Sequence, residues 1–307
     1  NMKKSDTAKC VYETLKRICV RTDRVLGDSI RSQISIGEES ITDFNLVDLA
    51  IEHGNYVKTK KFTRTEEGLE SGADWLWVIG RPGEWLHLVV QAKSVSRNQC
   101  RGFRYGHPST KKLQFNMLLD YAYSNGMFPL YCIYNYSSSD MVNCFRSPCV
   151  LKHEGCENLG CLIMTLDCVS PYIVKHKPHA CHQDVINAGH SLACLFRRSK
   201  KTTHLSLARL VASSLARYQT RSKAATRIDD LFPEKCIREE PHPIVLSYLQ
   251  RERMLTDEDE TMLTVGGEEL EWLSRAMDGE SPRYRPSGVT FISEEPLSSE
   301  ILQEYHW

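Results

Sequence analysis

Three polar residues in the first third of the sequence have the types and spacing that hydrolysis of a phosphodiester requires. Asp74 opens one apolar run, and Gln91 and Lys93 lie at the end of the next. A carboxylate binds a hard divalent cation such as Mg²⁺ or Mn²⁺, and an amide oxygen is a weaker ligand for the same ion. A lysine beside the cation can orient the attacking water or stabilise charge on the phosphate. We therefore predict a catalytic metal site formed by Asp74, Gln91 and Lys93.

Two neighbouring strands must bring these residues together. Residues 74–79 and 85–92 are rich in tryptophan, leucine and valine, which predicts strands, and Arg-Pro-Gly at 81–83 predicts the turn between them. Side chains alternate along a strand, so Gln91 and Lys93 point to the same face. If the two strands pair as a hairpin, the acid of the first strand converges with them at one end of the sheet.

Apolar residues at helical spacing predict helices in four parts of the chain. The predicted helices cover residues 7–34 (with a break near 21–23), 42–54 (capped by Thr42 or Asp43), 109–126 (capped by Ser109 or Thr110) and 203–218. Further strands are predicted at residues 55–63, at 130–134 and, as short runs, within 161–174. The order helix, strand, strand, strand, helix, strand predicts an α/β sandwich with a mixed central sheet flanked by helices.

The formal net charge is zero because two oppositely charged parts of the chain cancel. Residues 1–228 carry 32 Lys and Arg against 20 Asp and Glu, whereas residues 229–307 carry 7 against 19. A basic body favours a polyanionic partner such as nucleic acid. The acidic part could serve only as a solubilising face, or it could fold over the basic surface and compete with nucleic acid.

The cysteines and the terminal sequence indicate a compartment. The twelve cysteines include no CxxC pair among the central ones, which argues against a zinc ribbon and favours free thiols in a reducing cytosol. A denser group leaves a zinc site open, although core and surface roles are favoured: His176, His179, Cys181, His182, His190 and Cys194. No run approaches the ~18 apolar residues of a membrane helix, and the first residues of the sequence lack the apolar stretch that a signal peptide would have. We expect a cytoplasmic protein that does not contact a membrane.

The pattern Asp74…Gln91-Ala92-Lys93 resembles the D…(E/Q)xK signature of the PD-(D/E)XK, or restriction-endonuclease-like, nuclease superfamily. Its glutamine form resembles the Mrr-like branch. The motifs Gly-Glu-Glu-Ser-Ile-Thr-Asp at 37–43, Gly-Ala-Asp-Trp at 72–75 and Gln-Ala-Lys at 91–93 are similar to those of an uncharacterised, mainly bacterial family placed in this superfamily. The resemblance covers roughly residues 30–135.

This resemblance implies a nuclease that depends on Mg²⁺ or Mn²⁺ and acts on DNA rather than RNA. In the superfamily a glutamate from the first helical layer completes the metal site. Glu39 is the first candidate for this ligand and Glu38 the second. The alternative is that Glu39 only supports the start of its helix. Similar members often cut foreign DNA in restriction or anti-phage systems, commonly as dimers. A homodimer and a gate, either an activating partner or a nucleotide signal, are therefore expected.

The sequence also divides the chain into three predicted regions. We predict a restriction-endonuclease-like nuclease core over residues 1–175, a basic extension containing the histidines and cysteines over 176–228, and an acidic region over 229–307 with a regulatory role. The gate is expected in the part of the chain that follows residue 140.

Basic residues follow the predicted catalytic lysine and could hold nucleic-acid phosphates. The predicted contacts are Arg97, Arg101, Arg104, Lys111 and Lys112. A solvated basic loop is the alternative. Gln114 begins the next predicted helix, where related nucleases often place a polar residue that faces the site, so it joins the predicted nucleic-acid contacts.

Three classes of function remain: a nuclease, a non-catalytic binding module and, as the least favoured, a protein-interaction scaffold whose His/Cys group holds zinc. Phosphate-loop, dinucleotide-binding, HExxH and GxSxG motifs are absent from the sequence, which removes the commonest alternative enzymes. The rival is a catalytically inactive restriction-like module that binds nucleic acid or a protein partner. An amide at Gln91 in place of the usual glutamate favours this rival, whereas the retention of Asp74 and Lys93 favours the nuclease.

Overall fold

A mixed β-sheet lies at the centre of the molecule. The computed structural model describes residues 7–53, 57–61, 71–96, 99–105, 112–136, 159–174, 179–219, 232–242 and 288–293. The strands within these residues are β1 (Val57–Lys61), β2 (Trp75–Arg81), β3 (Glu84–Ser96), β4 (Gln99–Arg101), β5 (Phe128–Tyr134), β6 (Cys161–Thr165), β7 (His179–Cys181), β8 (His190–Ser191), β9 (Ile237–Arg238) and β10 (Gly288–Ser293). The α-helices are α1 (Thr7–Arg31), α2 (Glu38–His53), α3 (Gln114–Asn125), α4 (Leu166–Val174), α5 (His182–Ala188) and α6 (Leu207–Tyr218), with 3₁₀ helices at Leu192–Phe196 and Pro233–Cys236.

The strands of the central sheet are ordered β1-β10-β2-β3-β5-β6-β8. β2 and β3 pair antiparallel, so the predicted hairpin is confirmed. β5 lies parallel to β3 on its other side, so these two strands end at the same edge of the sheet. Beyond this edge β3 continues and pairs with β4, which in turn pairs with β7. The hairpin, the parallel neighbour and the small second sheet therefore all meet along β3.

Other parts of the chain cover both faces of the sheet. Tyr131 and Tyr134 are an odd number of residues apart on β5, so their side chains point to opposite faces. The Tyr134 hydroxyl lies 2.7 Å from the hydroxyl of Thr42 in α2. The Tyr131 ring packs edge-on against Phe103, with 5.6 Å between the ring centroids. The predicted α/β class, a mixed sheet flanked by helices, is confirmed.

The start and the continuity of the first two helices differ from the prediction. α1 runs unbroken through residues 21–23, where a break is predicted, because Thr22 is buried there and its hydroxyl donates to the side chain of Asn45 in α2. α2 begins at Glu38, so Thr42 lies inside the helix rather than at its cap, and its hydroxyl donates to the Glu38 carbonyl at 2.9 Å. Packing of α1 on α2 outweighs the local sequence signals.

Two further elements also differ. Residues 161–174 form strand β6 followed by helix α4, not a series of short strands. Asp167 lies in the first turn of α4, where its negative charge interacts favourably with the positive end of the helix dipole. The apolar residues around Asp167 had obscured this sign of a helix start. α3 begins after Leu113, whose side chain makes no capping hydrogen bond; the predicted caps at residues 109 and 110 lie outside the described residues.

The acidic part of the chain contributes strands to the central sheet. β9 pairs with the beginning of β3, at Trp85 and Leu86. β10 lies between β1 and β2. The sheet thus continues past the predicted boundaries at 175 and 228, and these boundaries stay a prediction. No helix in the described part of the chain is long and apolar enough to cross a membrane.

Candidate active site

Asp74 stands immediately before β2, where β3 runs past the end of its antiparallel partner. The Asp74 backbone N–H donates to the Val90 carbonyl at 2.8 Å, which extends the hairpin by one residue. Its carboxylate oxygen Oδ2 accepts from the Ala92 N–H at 2.5 Å and also from Nε2 of Gln91. The carboxylate therefore satisfies a backbone amide that a longer β2 would have satisfied. The same hairpin brings Asp74 and Gln91 into direct contact.

Gln91 has a buried side-chain carbonyl oxygen that accepts no hydrogen bond from any described residue. The side chain is 1% exposed. Nε2 donates to Asp74 and, at 3.0 Å, to the Ala92 carbonyl. Oε1 is buried and has no hydrogen-bond partner among the described residues. Because a buried acceptor without a donor costs about 1–3 kcal/mol, an atom of this kind beside a carboxylate is suited to bind a cation or a water.

Lys93 follows Gln91 on the same face of β3 and is also buried, at 8% exposure. Gly102, just after β4, lies against its aliphatic stem. A Cβ atom at Gly102 would sit 3.4 Å from Cδ and 3.5 Å from Cε of Lys93, and the glycine has a positive φ of 89°. Glycine is needed here for the left-handed backbone, and the close approach fixes the lysine stem. The amine is thereby held at the end of the sheet that carries Asp74.

The acidic start of α2 reaches the same end of the sheet. Glu38 Oε1 accepts from the Ser94 backbone N–H at 2.8 Å. Burial is the main cause of the raised pKa of the Cys100 thiol, Glu38 raises this pKa further, and Lys93 lowers it. Glu39, the first choice from the sequence, is exposed on α2. The geometry favours Glu38 as the acid of α2 at this site, and the role of Glu39 stays a prediction.

The segment before Asp74 packs directly on the beginning of α3. A Cβ atom at Gly72 would lie 2.5 Å from the Gln114 carbonyl oxygen and 2.8 Å from the Leu118 amide nitrogen. Gly72 also has a positive φ of 65°, so no other residue fits without strain. The side-chain oxygen Oε1 of Gln114 is buried and has no hydrogen-bond partner in the described ranges. Gln114 is therefore placed beside the segment that leads through Asp74 into β2.

Tyr131 is a residue of this site that sequence reasoning missed. It lies next to Gln91 in the register of β3 and β5, so both side chains share one face of the sheet. Its hydroxyl is buried without a hydrogen-bond partner within the described part of the chain. The sequence shows strand parity within β5, but it does not show the register between two parallel strands joined through a helix. No local signal could have found Tyr131.

The predicted phosphate contacts are placed only in part. Arg97 and Lys111 lie outside the described residues, and only the backbone of Arg101 is described, in β4. Arg104 is half-buried, and its Nε atom has no hydrogen-bond partner in the ranges that the structure describes. Lys112 is exposed. In the sequence, the two described side chains lie between β4 and α3.

The donor set suits a divalent cation only when other oxygen ligands complete it. The described residues include no group of three His, Cys, Asp or Glu side chains that could hold a metal ion. Asp74 supplies one carboxylate, and Gln91 supplies a buried carbonyl oxygen without a hydrogen-bond partner in the described ranges. Mg²⁺ is commonly held by one or two carboxylates together with waters and substrate phosphates. The two residues fit Mg²⁺ or Mn²⁺ on those terms, and affinity without nucleic acid should be weak.

Replacing Gln91 with glutamate is expected to strengthen Mn²⁺ binding by about 10-fold or more, because a second carboxylate next to Asp74 supplies a better ligand than an amide. Without metal, the two neighbouring carboxylates repel each other, so the variant should melt at a lower temperature than the wild type and gain more from Mn²⁺. Calorimetric titration and thermal melts check this. Gln183→Glu, at a half-buried position on α5, is the matched control. Equal Mn²⁺ affinity in wild type and Gln91→Glu would exclude Gln91 as a ligand.

Several members of the predicted zinc group have other contacts in the described part of the chain. His182 hydrogen-bonds to the side chain of Asn135. His190 stacks on Tyr218, with 3.7 Å between the ring centroids. Cys194 is buried in the 3₁₀ helix. His176 lies outside the described residues. Nothing in the described part of the group indicates a metal.

The fold is of the mixed α/β class, and its candidate site combines an acid, an amide and a lysine at one end of the sheet. Residues 11–297 match a family of unknown function, DUF6615. The chain belongs to this family. No curated protein matches the chain. The family description states no activity, so the function is argued from the site itself.

Proposed function

We propose that this protein is a metal-dependent nuclease that hydrolyses phosphodiester bonds, with DNA as the preferred substrate. The observation that carries the proposal is the buried carbonyl oxygen of Gln91, which has no hydrogen-bond partner among the described residues and lies beside the Asp74 carboxylate. Lys93 is buried on the same face of β3. The resemblance of these three residues to the PD-(D/E)XK signature, in its Mrr-like form, supports the proposal.

In the proposed mechanism, Asp74 and Gln91 hold Mg²⁺ or Mn²⁺ through one carboxylate and one carbonyl oxygen. When bound, the cation lowers the pKa of a water and neutralises charge on the phosphate. Lys93, with its stem fixed by Gly102, donates a hydrogen bond to the attacking water or to the phosphate. Glu38 orders the end of β3 through the Ser94 amide. Arg104 and Lys112 hold the substrate backbone on the neighbouring turn.

The biological setting follows by analogy with the superfamily. We place the protein in the cytoplasm, as an effector of restriction or anti-phage defence, acting as a homodimer that cuts both strands. An activating partner or nucleotide signal would gate the activity by raising it above a basal rate that the chain has on its own. The region over residues 229–307, which carries 19 acidic residues against 7 basic ones, is the proposed regulatory part.

The test is a cleavage assay on the full chain. Plasmid, linear and single-stranded DNA, and RNA, are incubated with the protein in Mg²⁺, in Mn²⁺ and in chelator, beside Lys93→Ala. Metal-dependent cleavage that Lys93→Ala removes supports a nuclease, and the preferred substrate shows whether DNA is favoured over RNA. Binding of nucleic acid without cleavage under every condition would sink the proposal.

The second candidate function is a catalytically inactive module that binds nucleic acid or a protein partner. One observation favours it: in the described ranges, the contacts around Gln91 include a single carboxylate, that of Asp74. Under this alternative Asp74 serves only to satisfy the Ala92 amide. Binding would then persist in chelator and weaken steeply as salt increases, because phosphate contacts release counterions.

A further inference from the structure

Two tyrosines of β5 use their hydroxyl groups differently. The Tyr134 hydroxyl lies 2.7 Å from the Thr42 hydroxyl of α2, which gives it a hydrogen bond. The Tyr131 hydroxyl has no hydrogen-bond partner within the described residues, although the side chain is 0% exposed. A phenylalanine would fill the same space without leaving a polar atom unsatisfied. The hydroxyl of Tyr131 therefore needs an explanation outside the packing of the core.

The position of this hydroxyl points to the candidate site. Tyr131 and Gln91 are partners in the register of two parallel strands, so the two side chains stand next to each other on one face. Burial raises the pKa of Tyr131, and the Asp74 carboxylate raises it further, as it also does for Tyr134 and Cys132. The register sets Tyr131 apart from these two, because it places its side chain next to Gln91, whose amide donates to Asp74. Two buried polar groups without hydrogen-bond partners in the described ranges, the Gln91 carbonyl oxygen and the Tyr131 hydroxyl, thus belong to neighbouring side chains on one face of the sheet.

The ring of Tyr131 is held in place. It packs edge-on against Phe103, with 5.6 Å between the ring centroids and 76° between the planes. Phe103 in turn stacks on Tyr172, also at 5.6 Å and with 24° between the planes. Rigid packing leaves the hydroxyl hydrogen as the part of the side chain that turns freely, so Tyr131 can donate in the direction that a bound oxygen requires.

We infer that the Tyr131 hydroxyl donates a hydrogen bond to a water molecule held at the Asp74–Gln91 pair, and that this hydrogen bond strengthens the binding of a divalent cation there. The inference rests on the proposed function. A water is the occupant that fits the burial, because Gln91 is 1% exposed and Tyr131 is 0% exposed. The hydroxyl can donate to such a water. The water can in turn donate to the carbonyl oxygen of Gln91 or coordinate the cation through its own oxygen.

The experiment compares Tyr131→Phe with Tyr134→Phe, which removes a hydroxyl from the same strand on the opposite face. Mn²⁺ affinity is measured by calorimetric titration of the full chain, and melting temperature is measured in chelator. Tyr131→Phe is expected to weaken Mn²⁺ binding by about 3- to 10-fold, which corresponds to one hydrogen bond, with a melting temperature equal to or above that of the wild type. Tyr134→Phe is expected to lower the melting temperature and to leave Mn²⁺ affinity unchanged.

Each remaining outcome overturns the inference in a distinguishable way. Wild-type Mn²⁺ affinity in Tyr131→Phe shows that the hydroxyl takes no part in cation binding, while the proposed function stands. A fall in melting temperature like that of Tyr134→Phe shows that the hydroxyl has a structural partner. Absence of Mn²⁺ binding by the wild type, together with absence of cleavage, removes the inference and the proposed function together.

Discussion

Asp74→Asn is expected to reduce the rate of cleavage by at least about 10³-fold, which corresponds to roughly 4 kcal/mol of lost transition-state stabilisation. The substitution removes one negative charge from the proposed metal site and leaves the number of heavy atoms unchanged. The fold should tolerate it, because the asparagine oxygen can still accept the hydrogen bond that the Asp74 carboxylate accepts from the Ala92 N–H at 2.5 Å. Cleavage kinetics under saturating Mg²⁺ and a thermal melt in chelator measure the two effects separately.

The matched control for this substitution is Asp48→Asn, which removes the same charge from a carboxylate on α2 that pairs with Arg21. A salt bridge between partly exposed groups contributes only about 0–1 kcal/mol, so this control should cleave at the wild-type rate. If Asp74→Asn also cleaved at that rate, the carboxylate would serve only to accept the hydrogen bond from the Ala92 N–H at the start of β2. The catalytic interpretation of Asp74 would then be wrong, even if the protein proved to be a nuclease.

The contact between Asp74 and Gln91 could be predicted because it depends on short-range features of the sequence. Two apolar runs separated by Arg-Pro-Gly specify a hairpin, and the side-chain alternation of a strand fixes the common face of Gln91 and Lys93. The structure contains this hairpin and its register. Sequence reasoning is reliable here because each inference spans only a turn and its flanking residues.

Features that depend on distant parts of the chain could not be predicted. The neighbour of Gln91 on its other side, Tyr131, is set by a parallel register that the chain reaches only after passing through α3. The choice between Glu38 and Glu39 depends on where α2 begins, and packing rather than a capping residue decides this. β10 joins the sheet between β1 and β2 from the far end of the sequence, where an acidic composition suggested a separate region.

Gly160→Ala is expected to destabilise the protein by about 3 kcal/mol or more, because α1 packs directly on the backbone of Gly160. An added Cβ atom would overlap the Cys19 carbonyl oxygen, and it would lie 2.5 Å from the Asp23 amide nitrogen. These are backbone atoms of a helix, so no side-chain rotation relieves the overlap and α1 must move away from the sheet. Urea unfolding followed by circular dichroism measures the loss of stability.

Gly37→Ala is the control, because no atom lies within 4 Å of a Cβ at Gly37 and its φ is not positive. Gly37 precedes the first residue of α2, where exchanging glycine for alanine should cost no more than about 1 kcal/mol. The two glycine variants also separate structural from catalytic loss. Gly160 lies next to β6, which β3 and β5 separate from β2 in the sheet, and its carbonyl accepts from the Asn135 N–H at 2.8 Å. Gly160→Ala should therefore lose cleavage only in proportion to its unfolded fraction, whereas Asp74→Asn should lose cleavage while folded. Equal stability of Gly160→Ala and Gly37→Ala would contradict the direct packing of α1 on Gly160.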